Sequence, residues 1–168
     1  MALVLNTNSY VELTEADDYF ETRIDSANWV TAGDEVKEQA LVTASLILDE
    51  SPWIGSAVSS SQALAWPRKN AIYNDNRLGL TVTIADDEVP SRVKTAVYEQ
   101  ALHLIDNEDL LMGKTQTFES ISVGSISLSD SNNDVTRTPI KSTQAAKSIK
   151  PLLVKGSLGQ GSGWWRAN

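Results

Sequence analysis

The stretch from Asp34 to Arg68 limits the folds open to this chain more than any other part of it. Val36, Ala40, Leu41, Ala44, Ile47 and Leu48 recur at helical spacing, with only the small Thr43 and Ser45 beside that arc. Lys37, Glu38, Asp49 and Glu50 take the positions of a solvated face. A helix with this apolar arc and Ala-rich edge is expected at the centre of a small helical domain. Ser51-Pro52 ends it, because proline lacks an amide proton and restrains the residue before it. Trp53 and Trp66 follow, each flanked by small or apolar residues and each able to bury a large area against the helix. Trp66-Pro67-Arg68 suits a rigid, extended passage across a core. Leu41, Ile47, Trp53, Trp66 and Pro67 are therefore expected to build the fold.

The flanking segments extend this scheme. Leu3, Val4 and Leu5 form a short apolar lead, suited to an edge strand or a packed arm. Thr14-Glu15-Ala16-Asp17 resembles a capping box with Asp in place of Glu, and Glu15, Asp17 and Asp18 suit the positive end of a helix. That helix is expected to run to about Ile24, burying Ala16, Tyr19, Phe20 and Ile24, with Trp29 packed over the helix pair from the connection. Ile72-Tyr73, Asn74-Asp75-Asn76 and Leu80 to Ile84 read as an irregular strand, a turn and a strand. The alternation of Leu80, Val82 and Ile84 with Thr81 and Thr83 indicates one buried face. Arg68, Lys69 and Arg77 are expected to lie on a solvated surface, though they could hold an anion or a partner carboxylate. Pro90 opens a further helix whose apolar face is Val93, Ala96, Val97, Ala101, Leu104 and Ile105, ending near Asn107.

Beyond Thr117 the period changes to two. Ile121 and Val123 alternate with serines, then Ile126 and Leu128 do so in the opposite phase, with Gly124 at the change. This predicts two short strands or one long bent one. A last short helix is expected at about Ser142 to Lys150, with Ala145, Ala146 and Ile149 inward. The chain then runs into GSLGQGSGWWRAN, too glycine-rich to fold alone. Trp164, Trp165 and Arg166 have the composition of an interface hot spot, and insertion into another subunit is favoured over folding back onto the parent domain.

Charge and chemistry exclude several functions. Up to Met112 there are 19 acids and 7 bases, and from Gly113 onward 3 acids and 7 bases. An acidic body disfavours a sequence-independent grip on phosphates, whereas the basic C-terminal third could meet an acidic protein surface or a nucleic acid. There are no cysteines and one histidine, His103, which reads as a helix-surface or packed residue. No phosphate-cradling glycine loop, calcium-loop spacing or base beside a serine nucleophile is present, so neither a catalytic residue nor a metal or cofactor site is expected. No run approaches the roughly 20 apolar residues that a membrane helix needs, and the N-terminus lacks the features of a secretory signal. At 168 residues the chain suits one domain with room for a tail.

These residues carry a family resemblance. Tyr10-Val11, Thr14-Glu15-Ala16-Asp17, Tyr19-Phe20 and Trp29 come first. Lys37, Ala40-Leu41, Ala44, Leu48-Asp49, Trp53-Ile54-Gly55 and Gln62-Ala63-Leu64-Ala65-Trp66-Pro67-Arg68 follow, and then Val89-Pro90, Val93, Ala96 and Glu99-Gln100-Ala101. The pattern, over roughly Tyr10 to Ile105, resembles the head–tail connector (adaptor, or head-completion) proteins of tailed bacteriophages. Similar sequences also carry a label as DnaT-like single-stranded-DNA-binding proteins.

The resemblance implies a mainly α fold, a small helical bundle with a β-hairpin excursion and an extended C-terminal tail. Residues 1–112 would be the helical adaptor core, 113–155 the β-strand excursion and last helix, and 156–168 a flexible anchoring tail. It further implies a twelvefold ring of copies beneath the portal protein, in the virion neck, assembled in the host cytoplasm and receiving tail or tail-completion proteins on its other face. Genomic DNA would pass through without specific binding, and no membrane is involved. Leu158, Trp164, Trp165 and Arg166 lie where the portal-binding tail would be. Ile121, Val123, Gly124 and Ile126 are the expected contact with neighbouring subunits or the tail.

Overall fold

The computed structural model describes residues 2–107, 121–123, 126–128 and 140–154. Among the described residues five α-helices carry the fold: α1 (Leu13–Glu21), α2 (Ala27–Thr31), α3 (Asp34–Asp49), α4 (Ser91–Asp106) and α5 (Thr143–Ile149), the last continued by a 3-10 turn, Lys150–Leu152. Three two-stranded antiparallel ribbons accompany them: β1 (Ser56–Ala57) with β2 (Arg68–Lys69), β3 (Ile72–Asp75) with β4 (Leu80–Thr83), and β5 (Ile121–Val123) with β6 (Ile126–Leu128). The architecture is mainly α.

The hub is α4, not α3. It packs most extensively against α3 and α5 and also meets α2, and its buried residues run almost all round the helix, from Val93 through Tyr98, Glu99 and Gln100 to Leu104. Two of those are polar, and each has partners that offset its burial. Glu99 receives the Tyr19 hydroxyl at 2.5 Å and the Arg23 guanidinium. Gln100, fully buried, accepts the backbone N–H groups of Lys141 and Ser142 through its Oε1, each at 3.1 Å. Ser142 then caps α5 by accepting from Ala145 N at 3.2 Å, so one glutamine sets where the last helix begins.

Contacts along the helices fix their directions. Lys94 on α4 meets Glu15 on α1 at 2.6 Å and Glu99 meets Tyr19, so α1 and α4 run the same way. Lys37 near the start of α3 meets Asp17 at 2.9 Å, while Ser45 and Asp49 near its end bind Tyr10, so α3 runs against both. One end of the bundle therefore gathers the C-terminus of α3 and the N-terminus of α4. The other gathers α2, the N-terminus of α3 and the C-terminus of α4, where Asn28 reaches Asp106 at 2.8 Å.

One core joins all five helices, with Trp29, Leu41, Leu48, Trp66, Val93, Val97 and Ile149 among its most buried side chains. Phe20 and Trp29 stack at 4.5 Å, and Tyr19 and Tyr98 at 4.8 Å. Ala145, Ile149, Leu152 and Leu153 belong to the same cluster, so the last helix and the strip after it pack onto the helical body. Leu41, Trp53 and Trp66 are buried; Ile47 and Pro67 are half-buried at the core's margin.

Several expectations change. Helix α1 stops at Glu21, where the Thr22 hydroxyl turns back to Tyr19 O at 3.1 Å, and the chain bends so that Ile24 is fully exposed. Its N-terminus lies earlier than Thr14: Glu12 is the cap residue, and its N–H donates to Glu15 Oε2 at 3.1 Å. Lys37 is buried rather than solvated, because Asp17 takes its charge and its ammonium lies 5.5 Å from the centre of the Trp29 ring. Val36 is about half exposed, the arc having rotated past it. The N-terminal lead forms a turn over residues 4–9 instead of a strand, delivering Tyr10 and Val11 to the core. The period-two segment is two strands, with Ile121 opposite Leu128, Ser122 opposite Ser127 and Val123 opposite Ile126.

Candidate functional site

The residues with unusual local chemistry collect at the end formed by the C-terminus of α3 and the N-terminus of α4. Asp49, in the last turn of α3, accepts from the Tyr10 hydroxyl and from Ala65 N at 2.6 Å. Burial and the Asp49 carboxylate together push the Tyr10 phenol well above its ordinary pKa, so it remains a donor. This pins the Leu64–Arg68 segment over the helix end, with Trp66 meeting Trp53 edge-on at 5.7 Å and the Trp66–Pro67 peptide in the cis form.

Arg68 continues the same construction. Its guanidinium donates to three backbone carbonyls, Ile54 at 2.8 Å, Gly55 at 2.9 Å and Ala65 at 3.2 Å, tying the segment after α3 to the strand β2. Burial holds its pKa below the usual arginine value. Gly55 sits beneath, at φ +72°, where an added Cβ would approach Lys69 O to 2.6 Å. Of the predicted basic cluster, Arg68 is therefore a structural clamp, while Lys69 and Arg77 are exposed.

The ribbon β3–β4 projects beside this clamp. Asp75 closes its turn by accepting Arg77 N through Oδ1 at 2.9 Å, while its carbonyl accepts Leu78 N and Gly79 N. Its other carboxylate oxygen takes Arg92 of α4 at 2.9 Å, and the Arg92 guanidinium lies 5.6 Å from the centre of the Tyr73 ring. The hydrogen bond from Arg92 holds the Asp75 carboxyl below the usual aspartate range despite burial of the side chain. The expected single buried face of β4 is not formed: Ile84 is buried, Val82 half-buried and Leu80 exposed, because the ribbon is only two strands wide and among the described residues nothing covers Leu80.

That ion pair has a pH signature. A carboxylate with a depressed folded-state pKa contributes stability above the unfolded value, about 3.9, and loses it as pH falls through the folded value. Arg92→Met is therefore expected to lower the melting temperature at neutral pH, and the gap from the parent protein should narrow as pH falls below the unfolded value, about 3.9. Thermal melts by circular dichroism across that range check it.

An open cleft of about 850 Å³ runs between this ribbon and the C-terminal strip, lined by Ile54, Tyr73, Arg77, Arg92, Lys150 and Leu153 among others. The strip is held by an antiparallel bridge between Trp53 and Leu153, with Ile54 N donating to Leu152 O at 3.0 Å and Val154 N to Pro52 O at 2.9 Å. Its cations and half-buried aromatic suit a polar protein segment or a phosphate. Among the described residues, no group of three or more His, Cys, Asp or Glu side chains could hold a metal ion.

Leu158, Trp164, Trp165, Arg166 and Gly124 lie outside the described residues; Ile121, Val123 and Ile126 are in the separate ribbon β5–β6. Tyr73, Asp75, Arg92 and Lys150, which form the cleft, were not singled out by sequence reasoning. The Asp75-Asn76 turn signal was visible, but its pairing with a residue 17 positions away was not.

A family model described as "Putative DnaT-like ssDNA binding protein" matches residues 2–166. No curated protein and no solved structure matches the chain.

Proposed function

We propose, for a chain that belongs to the DnaT-like ssDNA binding protein family, a structural role: a subunit of a phage head–tail connector that docks on a portal protein and forms an adaptor ring with copies of itself. The observation that carries this reading is how the body uses its aromatic rings and cations. No aromatic side chain among the described residues is exposed, and Trp29, Trp53, Trp66, Tyr10, Phe20 and Tyr98 are buried. Arg23, Lys37, Arg92 and Lys94 face carboxylates of the same chain, and Arg68 faces its backbone. A single-strand binder needs stacking platforms beside a basic groove. This body turns its rings inward and pairs those five cations within itself, leaving Lys69, Arg77, Lys141, Lys147 and Lys150 exposed on a predominantly acidic exterior, which suits a protein that lets DNA pass without gripping it. The resemblance over Tyr10 to Ile105 supports the same role, and Trp164, Trp165 and Arg166 supply the portal anchor.

The family's description favours a second reading, binding of single-stranded DNA, through the same tail. Deleting residues 156–168 is expected to leave the melting temperature unchanged and to abolish co-sedimentation with portal rings. Unchanged docking would sink the connector role. The intact chain is expected to give no shift with single-stranded oligonucleotides at low salt; binding that weakens steeply with salt would establish the second reading instead.

A further inference from the structure

One edge of the ribbon β3–β4 is paired with no described strand. Ala71 O accepts Ile84 N at 3.0 Å, and the same register runs from Ile72 opposite Thr83 to Asp75 opposite Leu80. In an antiparallel ladder every second residue turns its N–H and C=O to the partner strand, and the residues between turn theirs outward. Ala71 and Tyr73 therefore face β4, while Ile72 and Asn74 each present a donor and an acceptor on the far edge. Those groups have no hydrogen-bond partner among the described residues. That edge is one wall of the cleft: residues 72–76 line it and none of Leu80–Thr83 does, and the strip after α5 forms the facing wall. The charges of the lining are one-sided. Arg77, with its side chain 79% exposed, makes only a 3.9 Å approach to Asp75, and Lys150 is exposed. The one acid in the lining, Asp75, is 2% exposed and already held by Arg92 at 2.9 Å. Glu50, Asp86, Asp87 and Glu88 are exposed at this end of the bundle but do not line the cleft; Asp87 and Glu88 border a different hollow, with Leu5, Tyr10 and Lys94.

We infer that the cleft takes an extended, acidic segment of a partner protein, laid along β3 as a third strand. Main-chain hydrogen bonds to Ile72 and Asn74 hold such a segment, and its side chains meeting Arg77 and Lys150 select it. The four residues of β3 span about 13 Å, room for about four or five residues of the partner. Single-stranded DNA matches this edge less well. Its sugar–phosphate backbone accepts hydrogen bonds but donates none, so the carbonyls of Ile72 and Asn74 would be covered without partners. The Arg92 guanidinium also lies over the Tyr73 ring, at 5.6 Å from its centre, where a base would stack. The chain's own residues 155–168 contain two cations and no acid, so they do not complement the lining either. The inference holds with or without the connector role.

The test pans the full chain against a random dodecapeptide library and measures synthetic copies of the selected peptides by fluorescence anisotropy. The selected peptides should be enriched in Asp and Glu, and salt should weaken their binding. Arg77→Glu with Lys150→Glu should cost roughly tenfold or more in affinity. Asn74→Pro should do the same, because it removes an outward N–H and no ladder bond, a position where an edge strand tolerates proline. Circular dichroism melts check the folding of both variants. A third arm leaves the protein unaltered: N-methylation at alternate residues of the peptide should abolish binding in one phase and spare it in the other, since an added strand is bonded along one edge. A library that yields no binder overturns the inference, as do binders indifferent to Asn74→Pro and to N-methylation. An oligo-dT that binds the parent, loses affinity on charge reversal and ignores Asn74→Pro would assign the cleft to phosphates instead. Deleting residues 156–168 should leave peptide affinity unchanged; a tenfold gain would make that tail the occupant and overturn the partner. The same deletion tests portal docking, so docking retained with peptide binding intact removes the connector role and leaves this site standing.

Discussion

Replacing Trp66 with alanine is expected to cost about 3–5 kcal/mol, the range for removing a large aromatic from a packed core. For a chain of this length that lowers the melting temperature by roughly 6–20 °C. Trp66 is 1% exposed and meets Trp53 edge-on, so deleting it opens space between the segment after α3 and the Leu64–Arg68 segment. The neighbouring substitution tells a different story. The indole N–H of Trp66 is buried without a partner among the described residues, and a buried unpaired donor is itself a cost. Trp66→Phe removes that donor along with part of the ring, so its loss should be much smaller than that of Trp66→Ala. Differential scanning calorimetry of both variants checks the ordering; equal losses would mean the site tolerates no change of shape.

The second large effect is expected at Gln100. Gln100→Leu keeps the volume but leaves the N–H groups of Lys141 and Ser142 without their acceptor, for a net loss of about 1–3 kcal/mol after removal of the unpartnered Nε2. The loss is local. Helix α5 and the strip after it are held to the body at this point, at the Trp53–Leu153 bridge and through Ala145, Ile149 and Leu152 at the end of the core, whereas α3 and α4 make the core's most extensive contact. Amide hydrogen exchange should therefore rise roughly tenfold to a hundredfold over residues 143–154, with α3 changing much less. A uniform rise across the chain would mean that α5 is an inseparable part of the cooperative unit.

The helices were legible in the sequence because their apolar periodicity is long and their stops are chemical. The end of α3 before Pro52 and the start of α4 after Pro90 follow from single residues. The centre of the fold was not legible. Helix α4 carries Tyr98, Glu99 and Gln100 on what reads as a solvated face, and these are buried only because Arg23, Tyr19 and the backbone at 141–142 arrive from distant parts of the chain. Lys37 misled for the same reason, since Asp17 lies 20 positions away. Leu80 misled in the opposite sense: alternation reports one side of a strand but not whether anything covers it. The candidate cleft is assembled from residues 54 to 154, none forming a motif, so no local pattern could announce it.

The bridge between Trp53 and Leu153 has a mechanical consequence. The chain leaves the described body at Val154, whose N–H is fastened to Pro52 directly beside the tryptophan pair. A pull on the C-terminus therefore loads the junction behind α3 before it reaches α5, and tension enters beside the buried Trp53–Trp66 pair instead of peeling away the last helix.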